Sequence, residues 1–344
     1  MKCYGLCERG RMRLKAGIIT EGNEMNKCYV GDCRDVMREL ISDGVKVQTI
    51  VTSPPYYGLR DYGVDGQLGL EETPQKYIDT MVEVFRVAKD LLSDDGTLWL
   101  NIGDSYSSHK DCKSIGQTLA KGTSREDAHV LDLGLSRVRD SKMLKSQGLK
   151  NKDLIGIPWM LAFALRADGW YLRQDIIWNK PNPMPESVTD RCTKAHEYVF
   201  LLTKSDRYYF DNKAISTKSL WADKDKRFIN GPSSGGKAKS GQYAINKGGA
   251  FSPDGMANKK SVWTINTKSS NEAHFAVMPE ELVEHCIMAG SKVGDIVFDP
   301  FMGSGTVGKV AQALGRKWLG AELNPDYIKI QNKRTAQQSL ELVA

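Results

Sequence analysis

One stretch of the chain decides its fold: Asp299-Pro300-Phe301-Met302-Gly303-Ser304-Gly305-Thr306-Val307-Gly308. It ends an apolar run that begins at Ile296, and it leads into a helical pattern that runs to Leu314. A strand, a glycine turn and a helix in this order are typical of a parallel α/β sheet. Because glycine lets the backbone turn sharply and come close to a ligand, the stretch also predicts a binding site at this turn.

The glycines match G-x-G-x-x-G, and Glu322 lies near the tip of the next predicted strand, Trp318 to Leu323. An acid in this position accepts hydrogen bonds from ribose hydroxyls, which indicates an adenosine-containing cofactor. A nucleoside triphosphate would use Gly303 to Lys309 as G-x-x-x-x-G-K, but Val310 stands where magnesium coordination needs Ser or Thr. NAD would bring its pyrophosphate to the Asp299 carboxylate, which repels it. The ammonium and sulfonium groups of S-adenosyl-L-methionine suit that carboxylate, so the sequence favours this cofactor.

A second stretch, Thr52-Ser53-Pro54-Pro55-Tyr56-Tyr57, directly follows the apolar run from Val45 to Val51. Prolines carry no N–H, so their neighbourhood offers carbonyl acceptors without competing donors. Ser53 adds a hydroxyl and Tyr56 adds a flat aromatic face. A planar ring with an amino substituent, such as a nucleobase, fits this loop. The alternative is a rigid turn or a polyproline ligand segment.

Positive charge is concentrated in two parts of the chain. The whole protein has a net charge of +6, whereas residues 204–268 hold thirteen Lys and Arg against five Asp, a net +8. Residues 105–153 hold ten basic against six acidic residues, a net +4. Such segregation suggests a polyanionic partner, although solvated flexible loops are an equal alternative. The larger basic part also contains aromatic residues that suit a nucleic-acid surface or a small subdomain core: Tyr208, Tyr209, Phe210, Trp221, Phe228 and Trp263.

The cysteines and the first residues bear on the compartment. Seven cysteines are scattered without a Cys-x-x-Cys pair, which predicts a reducing compartment and no zinc site. The five histidines form no metal-binding arrangement, and Met1 to Lys27 has no apolar core of a secretory signal. No apolar run approaches the length of a membrane span. We therefore expect a cytoplasmic protein without a catalytic metal or membrane segment.

Periodicity predicts the remaining elements. The strongest helix runs from Pro74 to Leu92 with Thr73 as its N-cap, and Ser93 to Gly96 form the turn that ends it. Asp32, after the first strand, is either a ligand contact or the N-cap of the next helix. Further strands are expected at 28–30, 97–102, 172–178 and 197–203, and further helices at 36–41, 158–168, 279–289 and from Pro325.

The two motifs together resemble those of amino-group DNA methyltransferases. Asp299 to Thr306 is similar to their cofactor motif, and Thr52 to Tyr56 is similar to their catalytic motif. The catalytic motif comes first, a basic segment lies between, and the cofactor motif comes last, as in the circularly permuted β-class. The resemblance implies a mostly parallel, seven-stranded Rossmann-like sheet that binds S-adenosyl-L-methionine, with an inserted target-recognition region.

The resemblance also implies a division of the chain. Residues 27–104, 154–204 and 270–344 would form the catalytic domain, residues 105–153 a basic insertion, and residues 205–268 the target-recognition region. The residues implied to be catalytic are Ser53, Pro54, Pro55 and Tyr56. Those implied to bind the cofactor are Asp32, Thr52, Asp299, Pro300, Phe301, Gly303, Ser304, Gly305, Thr306, Glu322 and Asn324.

The implied reaction is direct methyl transfer to a base flipped out of double-stranded DNA, without a covalent enzyme intermediate. Enzymes of this type that methylate adenine N6 usually have Asp or Asn where this chain has Ser53, so the resemblance favours cytosine N4, with adenine N6 as the alternative. A non-catalytic DNA-binding module would be expected to lose Asp299, Tyr56 or a proline, and all are present; a dehydrogenase is a further alternative. The expected setting is restriction–modification, with a monomer or homodimer at the nucleoid of a bacterial or phage-infected cell.

Overall fold

The computed structural model describes residues 25–59, 63–107, 148–219, 255–267 and 277–341. Its centre is an eight-stranded sheet, and two further short strands form a separate ribbon. In chain order the strands are β1 Lys27–Val30, β2 Val47–Thr52, β3 Leu92–Ile102, β4 Tyr171–Asn179, β5 His196–Thr203, β6 Thr217–Lys218, β7 Met256–Ala257, β8 Val262–Thr264, β9 Ile296–Asp299 and β10 Lys317–Glu322.

Two helices begin at the caps that the sequence predicts. At the start of α2 the Thr73 side chain accepts a hydrogen bond from the Lys76 N–H at 3.0 Å, and Pro74 occupies the first turn. Asp32 caps α1 in the same way through the Arg34 N–H at 2.8 Å. The described helices are α1 Cys33–Ser42, α2 Pro74–Leu91, α3 Ile157–Ala167, α4 Glu280–Gly290, α5 Thr306–Ala313 and α6 Asp326–Glu341.

The sheet has the strand order β1-β10-β9-β2-β3-β5-β4-β8. Strand β5 runs antiparallel to both of its neighbours, and the other pairings are parallel. The predicted seven-stranded, mostly parallel sheet is therefore confirmed, with one addition. The eighth strand, β8, extends the edge by pairing with the end of β4, where Trp178 lies opposite Trp263.

Alternating side chains pack the two faces of the sheet against helices. Ile50 and Phe298 belong to the apolar layer beneath α1, α2 and α3, whereas their neighbours Val51 and Val297 belong to the layer beneath α4 and α5. These strand residues are almost fully buried. Helices on both faces explain why the central strands are continuous apolar runs.

The first and last strands are neighbours, as a permuted chain requires. Strand β1 pairs in parallel with β10, so that Val30 lies opposite Glu322. The Gly31 N–H continues this pairing with a hydrogen bond to the Glu322 carbonyl at 2.9 Å. The first described strand is therefore an edge of the open sheet and lies beside β10, the last described strand.

Two expectations differ from the structure. Ser93 to Gly96 lie inside β3, because the strand begins at Leu92 immediately after α2. Two of the described aromatic residues of 205–268 pack against the central sheet and not in a subdomain of their own: Trp263 is 3% exposed in the layer beneath α4 and α5, and Phe210 stacks on Trp99 with ring centroids 6.1 Å apart. Trp221 and Phe228, and most of the 105–153 insertion, lie outside the described residues.

The described residues were also searched for membrane spans and metal centres. Among them, no helix combines the length and the apolar character that crossing a bilayer demands. The same part of the chain contains no group of three or more His, Cys, Asp or Glu side chains arranged to hold a metal ion.

Candidate active site

A cavity of about 320 Å³ opens at the carboxyl ends of the parallel strands, where ligands bind in open α/β sheets. It lies between the two stretches that the sequence singles out. Residues of the proline loop that line it are Ser53, Pro54, Pro55 and Tyr56, and residues of the cofactor half that line it are Asp32, Asp299, Pro300, Phe301, Gly303, Ser304, Thr306, Glu322 and Asn324.

Asp299, at the tip of β9, is the buried carboxylate of this cavity. It is 1% exposed, and its Oδ1 accepts hydrogen bonds from the Thr52 hydroxyl at 2.7 Å and from the Phe301 N–H at 2.9 Å. Burial raises the pKa of Asp299 to about 7; the two hydrogen bonds oppose this shift, and the nearby Glu322 carboxylate adds to it. A cationic ligand would stabilise the ionised form.

Glu322, at the tip of β10, holds the glycine turn. Its Oε2 accepts from the Gly303 N–H and its Oε1 accepts from the Asn324 N–H, both at 2.8 Å. Burial raises the pKa of this carboxyl above its ordinary value, although these backbone hydrogen bonds oppose the shift. Each carboxylate oxygen has a second lone pair, so Glu322 can accept from a ligand hydroxyl while it keeps the turn in place.

Helix α6 closes over the far side of the glycine turn. Gln331 donates to the Gly303 carbonyl at 2.7 Å, and Arg334 donates to the carbonyl and the hydroxyl of Ser304 at 3.0 and 2.7 Å. Gly305 has φ +82°, and a Cβ there would lie 2.9 Å from the Gln331 side chain. The glycine is therefore needed for close packing of α6 as well as for the turn.

The residues of this half fit S-adenosyl-L-methionine. The cofactor carries positive charge, and the cavity presents it with the buried Asp299 carboxylate and the partly buried Glu322 carboxylate. Gly303 has φ +50° and no Cβ to block the approach of a ligand to the turn. A pyrophosphate, in contrast, would bring negative charge to the two carboxylates.

The proline loop, Thr52 to Tyr57, is held in place by α2. The Tyr77 hydroxyl donates to the Pro55 carbonyl at 2.9 Å, and a Cβ on Gly69 would lie 3.2 Å from Pro55. The Ser53 hydroxyl lies 3.4 Å from that of Tyr56, a long contact that leaves it capacity to accept from a ligand. Both side chains are partly buried and line the cavity.

Four further side chains beside the proline loop were not predicted as site residues from the sequence: Asn101, Trp178, Lys180 and Glu197. Glu197 accepts from the Tyr56 hydroxyl at 2.7 Å and from the Asn101 amide at 3.1 Å, and it forms an ion pair with Lys180. The Lys180 ammonium also lies 4.3 Å from the centre of the Trp178 ring. All of these residues line the cavity. Burial and the Glu197 carboxylate hold the pKa of Tyr56 well above its ordinary value, so its hydroxyl stays protonated and donates.

The reversed direction of β5 explains why Glu197 was missed. Catalytic side chains are expected after the carboxyl ends of parallel strands, but Glu197 lies near the amino end of a strand. Because β5 is antiparallel, that end reaches the same edge of the sheet as the carboxyl ends of β3 and β4. The only sequence signal for Glu197 was that an acidic residue stands at the start of the apolar strand β5.

Most of the predicted site residues meet at the cavity, but three have additional or different roles. Thr52 does not line the cavity, and its hydroxyl donates to the Asp299 carboxylate. Gly305 does not line it either and packs against Gln331 of α6. Asp32 lines the cavity and also caps α1. The cap does not keep the side chain away from the cavity, so the two predicted roles do not exclude each other. The Asp32 carboxylate is also held by an ion pair with Arg34 at 2.6 Å.

Known proteins are similar to this chain in sequence. A family model for N6 and N4 methyltransferases, described as DNA methylase, matches residues 47–333. The type II methyltransferase M.Cfr9I of Citrobacter freundii is 44% identical over 92% of this chain and 89% of its own. M.SmaI of Serratia marcescens is 42% identical over 90% of each chain.

Solved structures share the fold. The PvuII DNA methyltransferase, which is specific for cytosine N4, superposes with a TM-score of 0.56 at 18% identity, over 90% of this chain and 85% of that chain. A DNA modification methylase of Thermus thermophilus, solved with S-adenosyl-L-methionine, superposes with a TM-score of 0.53 at 21% identity, over 91% of this chain and 93% of that chain. At these identities the likeness concerns the fold alone.

Proposed function

The chain belongs to the family of N6 and N4 DNA methyltransferases, and from this premise we propose that it methylates the exocyclic N4 amino group of cytosine in double-stranded DNA. The family acts on DNA and uses S-adenosyl-L-methionine as its cofactor. The choice of cytosine N4 over adenine N6 is the part that belongs to the proposal, and it depends on Ser53.

S-adenosyl-L-methionine supplies an electrophilic methyl group on its sulfonium. We propose that Asp299 faces the positive charge of the cofactor, that Glu322 accepts from its ribose hydroxyls, and that the Gly303 turn lets the backbone come close. Asp299 is 1% exposed, and the low dielectric around a buried carboxylate strengthens its interaction with a cationic ligand.

The observation that carries the choice of base is the Ser53 hydroxyl, which lines the cavity beside the Tyr56 ring. A flipped cytosine would stack on that ring, and its amino group would donate to Ser53 and to the Pro54 carbonyl. These hydrogen bonds favour the pyramidal amino nitrogen, whose lone pair is otherwise delocalised into the ring. The nitrogen gains a bond to the methyl carbon as the bond from that carbon to sulfur breaks, which leaves the neutral thioether S-adenosyl-L-homocysteine. The methylated nitrogen then loses one proton to water. Adenine-N6 enzymes of this type usually have Asp or Asn at this position, so Ser53 supports a pyrimidine target.

The test is to identify the methylated base. DNA methylated by the protein is digested to nucleosides and analysed by mass spectrometry, and N4-methylcytosine is expected. N6-methyladenine as the sole product would refute the assignment of the base, and 5-methylcytosine would overturn the mechanism. Ser53→Ala should keep its calorimetric affinity for S-adenosyl-L-methionine and lose most methyl transfer, because the amino group loses an acceptor.

We also propose that residues within 205–268 read the DNA sequence, with part of 105–153 as an accessory clamp. The net +8 charge of residues 204–268 supports phosphate contacts. The structure offers a clean place for a deletion, because β6 and β7 pair with each other and the Ser219 N–H donates to the Gly255 carbonyl at 2.9 Å.

A short turn in place of residues 220–254 would close that ribbon and leave Trp263 in the core. The expected variant folds, binds the cofactor and loses its site preference, as read by sequencing the positions it methylates. A folded variant that keeps its preferred site would place recognition elsewhere. The matched variant replaces residues 110–145 and should weaken DNA binding without changing the site.

A further inference from the structure

The ion pair beside Tyr56 has no assigned role in the reaction. The side chains of Lys180 and Glu197 are 17% and 16% exposed, so both charges are largely removed from water. The free-energy cost of removing two charges from water can exceed the gain from their attraction. Apolar residues of the same size often stabilise a fold as well as such a pair, or better. Fold stability alone therefore gives a weak account of this pair, whereas its place in the cavity wall points to function.

Glu197 is built so that both of its oxygens are used. One oxygen accepts a hydrogen bond from the Lys180 ammonium. The other accepts from the Tyr56 hydroxyl at 2.7 Å and from the Asn101 amide at 3.1 Å. Asn101 is 2% exposed and is itself fixed by a hydrogen bond to the Tyr198 carbonyl at 3.1 Å. The carboxylate is thus held in one place before a substrate arrives.

The ends of three adjacent strands bring these groups together: β3 supplies Asn101, β4 leads to Lys180 and β5 supplies Glu197. Gly103, which directly follows β3, leaves space for the side chains of Tyr56 and Glu197. A Cβ on Gly103 would lie 2.9 Å from the Tyr56 ring and 3.3 Å from the Glu197 side chain. Even a methyl group at this position would push the tyrosine away from its acceptor.

We infer that Glu197 is a positioning residue for methyl transfer, which fixes the Tyr56 ring through its hydroxyl while Lys180 balances the charge. This inference rests on the proposed use of the Tyr56 face to stack the target base. A tyrosine ring anchored at the loop alone can swing about its side-chain bonds, whereas a second anchor at the hydroxyl fixes the face on which the base must lie. A small displacement of that face moves the amino nitrogen off the line of attack on the methyl carbon.

The test is a double-mutant cycle between Glu197→Gln and Tyr56→Phe, read as the single-turnover rate of methyl transfer with saturating cofactor and DNA. Each single variant should lose about tenfold to a hundredfold in rate, the range expected for a misplaced reacting group. If Glu197 acts through the tyrosine hydroxyl, adding Glu197→Gln to Tyr56→Phe should cost little more. Calorimetric affinity for S-adenosyl-L-methionine should stay within about twofold of the starting protein, because neither side chain belongs to the cofactor half.

Asp168→Asn is the matched control. Asp168 has a similarly buried side chain, 15% exposed, and it pairs with Arg86 outside the cavity. Its loss should lower the melting temperature without changing the transfer rate. If Glu197→Gln leaves too little folded protein, the neutral pair Lys180→Gln with Glu197→Gln removes both charges together and takes its place in the cycle.

Additive losses in the cycle would overturn the inference, and so would an unchanged rate in Glu197→Gln. A loss of rate that appears only with a parallel loss of cofactor affinity would also overturn it, because that pattern indicates a general structural role. The cycle compares rates at whichever base the protein methylates. A product other than N4-methylcytosine therefore refutes the proposed base without deciding the role of Glu197.

Discussion

Replacing Glu322 tests the cofactor half of the site most directly. In Glu322→Ala, the N–H groups of Gly303 and Asn324 both lose an acceptor at 2.8 Å. Hydrogen bonds to a charged acceptor contribute about 1.5–3 kcal/mol each, and because this carboxylate is only partly buried, water replaces part of that loss. We expect the free energy of unfolding to fall by about 1.5–3 kcal/mol in total.

The loss of cofactor affinity has a separate origin. If both ribose hydroxyls donate to Glu322, two hydrogen bonds of about 0.5–1.5 kcal/mol each are lost, which raises Kd by about five- to 150-fold. Glu322→Gln keeps one acceptor oxygen and should lie between the starting protein and the alanine variant. Calorimetry with S-adenosyl-L-homocysteine measures Kd without turnover.

An analogue that lacks the ribose hydroxyls separates the ribose contact from a disturbed turn. The analogue should bind the starting protein more weakly than the parent ligand, and Glu322→Ala should no longer distinguish the two. Equal discrimination by both proteins would refute a direct ribose contact, and unchanged affinity for the parent ligand would refute the whole assignment. Asp326→Asn, an exposed carboxylate at the start of α6, is the control that should bind normally.

Two further predictions concern the same half. Because the pKa of Asp299 is raised to about 7, the free protein should lose stability as pH rises from about 4 through 7, while affinity for the cationic cofactor should rise about tenfold between pH 6 and 8. Calorimetric affinity plotted against pH should therefore rise in the starting protein and stay flat in Asp299→Asn. Equal slopes in the two proteins would contradict the assignment. Arg334→Met removes the donor to Ser304. Although Arg334 is not expected to contact the ligand, its loss should weaken calorimetric affinity for the cofactor by about three- to tenfold, because the glycine turn loses a hydrogen-bond donor. Lys329→Met, on the exposed face of the same helix, should leave that affinity unchanged.

The sequence determined the elements and the two motifs because both depend on near neighbours along the chain. The Thr73 cap and Pro74 start α2 where the pattern predicts it, and the glycine turn after Ile296–Asp299 stands between a strand and a helix as expected. The alternation of apolar residues fixes which face of a strand is buried. The order of the two motifs, with Thr52 to Tyr56 before Asp299 to Thr306, implied a permuted chain through its resemblance to the β-class.

Only the tertiary structure decided which strand ends meet. The Thr52 hydroxyl reaches Asp299 across 247 residues because β2 and β9 lie side by side. Glu197 reaches Tyr56 because β5 runs against its neighbours and brings its amino end to the ligand edge. Strand order and direction follow from the packing of helices on both faces, a sum of many weak contacts between distant segments. No local pattern encodes that sum, so the proline loop could be found from its residues, while the Lys180–Glu197 ion pair beside its tyrosine could not.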